Sequence, residues 1–339
     1  MAHVSIGTVG RALLGRKGVG KSTRERILSI AEAVGYKTNL AARALYHSRT
    51  PIRVGVCIPR ELHYYFEQLS AGVIDEAGRF EHLGIELELR LSGQSGFVAE
   101  ASRASELIAQ GVQALIIAPG DPEALRPVIN EAESKGIRVI CVDSDVESSS
   151  RSTLVATDAE VSGRIAAELM GRFLEPGAEV VVTTGLPNVK GHLLKTAGFC
   201  QLFPQICEGG KVVEVIETLD DDDDPMRKCI SLLERRKSLR GIYVRTGNCL
   251  PICRLISALG LSDKIQVITS DLFGEMVPYF ERGVIKASVN GRPYVQGQIA
   301  MRLLADHLIR GTSLPTHQLL NPQIVLRSNL HLFREVRPA

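Results

Sequence analysis

After Pro51 the chain alternates between short β-branched runs and longer amphipathic stretches, a pattern few architectures accept. The runs are IRVGVCI (52–58), IELELRL (85–91), ALIIAP (114–119), RVICVD (138–143), STLVAT (152–157) and EVVVTTG (179–185). KVVEVIET, GIYVRT, IQVITSD and IKASVN continue the series, and helical stretches fall between them at 66–80, 96–110, 123–135 and 161–174. Strands alternating with helices of this length predict parallel sheets joined by right-handed crossovers. Some ten strands are too many for one small sheet, so the pattern predicts two side-by-side α/β lobes with a cleft between them.

The first fifty residues differ in kind. Residues 1–53 carry ten Lys and Arg against Glu25 and Glu32, a balance of +8, whereas the whole chain of 339 residues is at +2, leaving −6 for the remainder. Segregation of this kind points to a polyanion partner for the front of the chain only. Two readings of the segment compete. Gly15, Gly20, Lys21 and Ser22 satisfy the phosphate-loop spacing G-x-x-x-x-G-K-[ST], which requires a buried strand running into the loop. The residues ahead of it are instead spaced helically, with Val9, Ala12 and Leu13 apolar and Arg11 among them. The helical reading places a short helix from a Ser5 cap to Leu14, a second from about Ser22 to Val34 closed by Gly35, and a third opened by Asn39. Three short helices in a basic segment predict a small all-α nucleic-acid module, the reading adopted here.

VSIGTVGRAL, STRERILSIAEAVGY and TNLAARAL, in this order, resemble the recognition helix, third helix and hinge helix of the lac repressor/galactose repressor family of bacterial regulators. The resemblance implies that Ser5, Ile6, Gly7 and Arg11 face the major groove and that Thr8 meets a phosphate. It also implies that Asn39 opens a hinge helix containing Arg43, and that Leu45 is the apolar wedge in the minor groove. The family places a further helix ahead of this point where only Met1 to Val4 stand, so either coding sequence continues upstream or the head is degenerate. Gly7 and Gly10 also occupy positions where the family prefers larger or polar residues.

The body, residues 52–330, resembles the periplasmic-binding-protein-like effector domain of the same family, similar to ribose- and galactose-binding proteins. VCIPRELHYYFEQLSAG, VATDAEVSGRIAAELM, ITSDLF and GVIKASVNGRPYVQGQIA carry the likeness. The expected organisation is a head and hinge over 1–50 and an effector domain over 51–339. One lobe would take about 52–157 and 292–319, the other 158–291 and 320–339. Ligands of such folds bind beyond the carboxyl ends of the strands. Asp143 and Asp145 end one strand and Asp271 another, and the resemblance puts Asp143 and Asp271 on ligand positions. Tyr65 and Phe66 match its aromatic pair, and Lys195, with His192 one turn earlier, falls where many relatives have arginine. Gly291 and Arg292 stand near a position often held by glutamine or aspartate. Lys195 with Arg292 raises the alternative of an anionic effector such as a sugar phosphate.

Other signals read as structure. Asp158 suits a cap for the helix beginning near Ala159. The acids Asp220 to Asp224 complement a helix N-terminus and lack the glycine and distal glutamate of a calcium loop. Cys249 and Cys253, one turn apart, have no nearby pair to complete a metal set, and seven scattered cysteines suit a reducing compartment. No catalytic triad, metal pattern, secretory leader or membrane-length apolar run is recognisable, and no cofactor is implied. The sequence therefore predicts a cytoplasmic, dimeric, ligand-responsive regulator with double-stranded operator DNA and a sugar or sugar derivative as partners. The competing readings are a periplasmic-type sugar receptor and a nucleotide enzyme working through Gly15–Ser22.

Overall fold

The computed structural model describes residues 2–13, 18–34, 51–59, 63–91, 99–185, 189–217 and 223–333. At the front are two helices, Ile6–Leu13 and Lys21–Ala33, which pack on each other and bury Ala12 and Ile27. Ser5 caps the first: its Oγ accepts the Thr8 N–H at 3.1 Å. The predicted third helix lies outside the described residues.

The body consists of two six-stranded sheets. The first is built from β1 (Ile52–Ile58), β2 (Ile85–Leu91), β3 (Ala114–Ile117), β4 (Arg138–Val142) and β5 (Thr153–Thr157). The second uses β6 (Glu179–Thr184), β7 (Lys211–Glu217), β8 (Leu239–Val244), β9 (Gln266–Ser270) and β10 (Ile285–Asn290). Two late strands, β11 (His317–Leu320) and β12 (Gln323–Val325), complete one sheet each. The orders are β11-β5-β4-β3-β1-β2 and β12-β10-β9-β8-β6-β7. Each neighbouring pair is parallel apart from β10 with β12. This is the two-lobed α/β architecture expected from the alternation.

Burial on both faces explains why the strands read as apolar runs rather than alternating ones. In the first sheet, Val54, Val56, Ile116, Ile140 and Val155 point into one core layer, while Cys57, Leu115, Ile117, Val139 and Leu154 point into the other. The second sheet divides its residues in the same manner. Each fully buried branched side chain contributes roughly 1.5–3 kcal/mol of transfer free energy.

The chain passes between the sheets three times, after β5, after β10 and after β11. The crossovers lie side by side: Asp158 N–H donates to Leu320 O at 3.1 Å, and Thr157 Oγ1 donates to Gly291 O. Two crossovers open helices, Ala159–Phe173 and Pro293–Arg310, and each helix has a glycine set against the helix that follows the first strand of its lobe. A Cβ on Gly163 would stand 2.0 Å from Lys195 O, and one on Gly297 would stand 2.2 Å from Leu69 O. The lobes thus repeat one packing device, and in the second it seats the backbone of Lys195.

Filling that contact tests its weight. Gly163→Ala is expected to cost about 1–3 kcal/mol of unfolding free energy, because backbone rather than a flexible side chain must move. Gly78→Ala, where nothing lies within 4 Å of the added atom, should change the urea-derived value by less than about 1 kcal/mol.

Candidate functional site

The carboxyl ends of both sheets face a shared cleft. Asp143 follows β4 and Asp271 follows β9, and these strands hold the same place in their respective sheets. Both residues leave the strand with left-handed backbone, at φ 66° and 63°. Each is held there by the neighbouring strand, with Asp143 N–H donating to Val155 O at 2.9 Å and Asp271 N–H to Val289 O at 3.0 Å. Left-handed backbone is rare outside glycine and tolerated best by Asp and Asn. Here it turns a short carboxylate into the cleft from each lobe.

The remaining walls come from helix starts and loops. Tyr65 and Phe66, in the helix His63–Gly78, meet edge to face with ring centroids 5.3 Å apart. His192 and Lys195 stand on the helix Lys190–Ile206, and Pro119, Gly120, Ser144, Arg245, Thr246 and Gly247 complete the larger cavity. Thr157, Gly291 and Gln296 close an adjoining one that shares Tyr65, Asp143, His192 and Lys195. Tyr65 O–H donates to Asp143 Oδ1 at 2.5 Å, and Gly291 N–H donates to Asp271 Oδ1 at 3.1 Å.

Burial dominates the electrostatics. It pushes the Asp143 carboxyl above the ordinary carboxylate range, with Lys195 and then the Tyr65 and Ser144 hydrogen bonds pulling the other way. Asp271 is likewise raised by burial, opposed by Lys195, raised further by the charge of Asp143 and lowered by the Gly291 N–H. Burial and then the charges of Asp143 and Asp271 hold the Tyr65 phenol well above its ordinary value, so it remains a neutral donor. Two acceptor carboxylates, a cation whose charge reaches both and an aromatic wall form a surface chemically suited to hydrogen-bonding a compact polyhydroxy molecule.

Of the residues nominated from sequence, Tyr65, Phe66, Asp143, His192, Lys195 and Asp271 line this cleft. Asp145 does not: both its oxygens are taken by Arg151, through Nε to Oδ1 and Nη2 to Oδ2 at 2.7 Å, and it faces away from the cavity. Nor does Arg292 line it. Arg292 sits in left-handed backbone at the crossover, its N–H donating to Asn290 Oδ1 at 2.9 Å, and Gly291 rather than Arg292 borders the cavity. The cation partnering Lys195 is Arg245, which is 1% exposed and follows β8. The strand-end rule that selected Asp143 and Asp271 points equally to Arg245 and Thr246, whereas Gln296 lies inside a helix and carries no such signal.

At the front, Ile6, Gly7 and Arg11 are exposed, Ile6 at 92%, while Ser5 and Thr8 share a hydroxyl contact of 2.9 Å. Asn39, Arg43 and Leu45 lie outside the described residues. The phosphate-loop motif lacks the strand its chemistry requires: a helix, Ile6–Leu13, precedes it, and Lys21 opens another. Asp158 caps its helix as expected, accepting the Val161 N–H at 3.0 Å. Cys249 and Cys253 are buried free thiols. Among the described residues no group of three or more His, Cys, Asp or Glu is placed to hold a metal, and no helix is long and apolar enough to cross a membrane. A larger groove of about 1200 Å³ lies at the amino ends of β6, β8 and β9, and most of its charged side chains are exposed.

A family model described as a periplasmic binding protein domain matches residues 54–313. The chain belongs to that family. Within the periplasmic binding protein family it is similar to the ribose import binding protein RbsB of Bacillus subtilis (strain 168). The two are 31% identical over 261 residues, 76% of this chain and 82% of that protein. Catabolite control protein A of Streptococcus mutans is 36% identical over 81 residues at the N-terminal end, 24% of each chain. The fold matches a solute binding protein of Burkholderia graminis in complex with D-arabinose, at TM-score 0.77 and 23% identity over 83% of this chain and 97% of that one. A putative LacI transcriptional regulator from Bacteroides fragilis matches at TM-score 0.75 and 15% identity over 84% and 100%. At those identities the structural likeness concerns the fold alone. The relatives are binding proteins and transcription regulators, not enzymes.

The raised Asp271 carboxyl fixes a sign. Folded Asp271 holds its proton more tightly than the unfolded chain does. Its contribution to stability is therefore greatest in acid and falls as pH rises from the ordinary carboxylate range through the folded value. Asp271→Asn keeps an acceptor for Gly291 N–H and tolerates the left-handed backbone. It is expected to raise the urea midpoint of the ligand-free chain at neutral pH, by a margin that shrinks toward about pH 4. A midpoint that stays level or falls at neutral pH contradicts this.

Proposed function

We propose that the protein is a ligand-responsive transcriptional regulator of the lac repressor/galactose repressor type, acting in the cytoplasm as a repressor of carbohydrate-metabolism genes. Its effector is a sugar or sugar-like polyol held between Asp143 and Asp271. The observation that carries this reading is the union of two parts in one chain. A basic segment of +8 over residues 1–53 contains a Ser5-capped helix with Ile6, Gly7 and Arg11 exposed, and it is joined to a cleft lined by buried acceptors. The N-terminal similarity to catabolite control protein A supports the same reading. A binding protein that only captured solute would have no use for such a segment.

In this account two chains pair through their bodies, and each head reads half of a near-palindromic site. The carboxylates accept hydroxyl protons of the ligand, Lys195 and Arg245 balance their charge, and Tyr65 holds Asp143 in place. Closure around the ligand shifts the lobes about the crossovers and alters how the segment from Asn39 to Leu45 meets DNA.

A second reading, a sugar receptor without DNA binding, is favoured by the similarity to the ribose import binding protein across three quarters of the chain. Selection of duplexes from a random pool by the full-length protein separates the two. The regulator reading predicts a recovered half-site repeat, with affinity falling about 10³-fold between 50 and 200 mM salt if six phosphates are contacted. It also predicts about a tenfold loss in Leu45→Ala, roughly 1.4 kcal/mol, with sugar affinity unchanged. The receptor reading predicts no enriched duplex.

A further inference from the structure

Tyr64 and Tyr65 are consecutive, yet they serve different lobes. Their helix, His63–Gly78, follows β1 and is seated in the core of the first lobe through Leu69 and Val73, while Tyr65 donates to Asp143 in the cleft. Tyr64 packs instead on the core of the second lobe, on the cluster that contains Leu272 and Phe273. Its ring stacks on that of Phe273, with centroids 4.4 Å apart and planes 12° from parallel. One helical turn on, Gln68 Nε2 donates to Leu272 O at 2.8 Å and to Tyr64 O at 3.0 Å. Residues four apart share a helix face, so one face of this helix grips the second lobe at two points. The gripped segment begins with Asp271, which lines the ligand cavity; Leu272 and Phe273, which follow it, are buried. Tyr64 and Phe273 themselves stand outside both cavities.

We propose that Tyr64 is a positioning residue for ligand capture: by stacking on Phe273 it docks the Asp271 segment on the helix that carries Tyr65, and so holds the two carboxylates at a spacing one ligand can bridge. The inference rests on the sugar-binding reading above and adds what sets the separation of the two walls. Each half of the stack is tied to one carboxylate. Tyr64 adjoins Tyr65, which holds Asp143, and Phe273 stands two residues after Asp271. Because the rings belong to different lobes, their contact is made only while the lobes are together, and it favours that arrangement over a parted one. A ligand gripped from both sides binds with an apparent affinity scaled by the fraction of molecules already closed. Loss of the stack therefore weakens every ligand by one common factor, whatever its hydroxyl pattern. A residue that touches the ligand behaves differently, since its loss changes the preference between ligands.

Two measurements on the full-length protein test this. The first is the distance between spin labels carried on ketone amino acids at Glu123 and Leu193, exposed positions near the helix starts that face the cleft from either lobe. The second is isothermal titration with D-ribose, D-arabinose, D-allose and myo-inositol. Tyr64→Leu keeps an apolar side chain but removes the stack. It is expected to lengthen the ligand-free distance and to weaken each sugar that wild type binds by the same factor, about fivefold to tenfold. Tyr64→Phe, which keeps the ring, should restore both values. Phe273→Leu should match Tyr64→Leu, and the double variant should lose little more than either single one, because one contact is removed in all three. If Phe273→Leu lowers the urea midpoint, the pair Tyr64→Leu and Tyr64→Phe carries the comparison. A ligand-free distance that stays at the wild-type value overturns the proposal. So does unchanged affinity in Tyr64→Leu, or a loss that differs from one sugar to the next. If none of the four binds wild type, the sugar reading falls, and the distance alone then decides whether Tyr64 holds the lobes together.

Discussion

Two carboxylates turned out of their strands by left-handed backbone are the constraint to which the rest of the structure answers. Asp143 and Asp271 occupy backbone that most side chains avoid, and both are shielded enough from water that burial opposes their ionisation. Neither feature stabilises the chain by itself. Each persists because the neighbouring strand fixes the turn, through Val155 O and Val289 O, and because donors stand ready. Tyr65, Lys195 and the Gly291 N–H offset part of the desolvation. A hydroxyl-rich ligand would offset the remainder, giving the cleft a reason to close upon it.

The two lobes meet this demand with the same parts. Equivalent strands end in equivalent aspartates, and the helices that follow two crossovers use Gly163 and Gly297 to bring backbone against backbone. The lobes also touch directly. Tyr64 stacks on Phe273 with centroids 4.4 Å apart, Gln68 Nε2 donates to Leu272 O at 2.8 Å, and Lys190 pairs with Glu147. Contacts between the lobes therefore flank the ligand position, and occupancy adjusts an equilibrium that the protein already favours.

Much of the body was legible because its strands are buried on both faces, and a β-branched run such as IKASVN then announces its own limits, coinciding with β10. β11 and β12 were not: HQLL and QIV are short and largely exposed, and they are strands only because β5 and β10 offer an open edge. Strand ends likewise led to Asp143 and Asp271. Asp145, two residues on, misled because sequence position does not tell where a side chain points, and Arg151 claims it. Arg292 misled for a related reason: at the crossover it is Gly291, one residue earlier, that borders the cavity. The phosphate-loop match shows the limit of a motif without its context. The residues fit the pattern, but a helix stands where a strand is needed. Arg245 directly follows β8 and was open to the same strand-end rule, whereas Gln296, inside a helix, becomes visible only once both sheets are assembled around a common cleft.

Joining a basic head to such a cleft has value only if the two exchange free energy, and linkage makes that exchange reciprocal. The most direct measurement is the dissociation constant of the tightest-binding sugar, taken with and without saturating operator duplex. The account predicts a change of about fivefold or more, matched by an equal factor in duplex affinity when the sugar is added. Identical sugar affinity in the presence and absence of duplex would contradict it and leave a binding protein whose front segment serves another purpose.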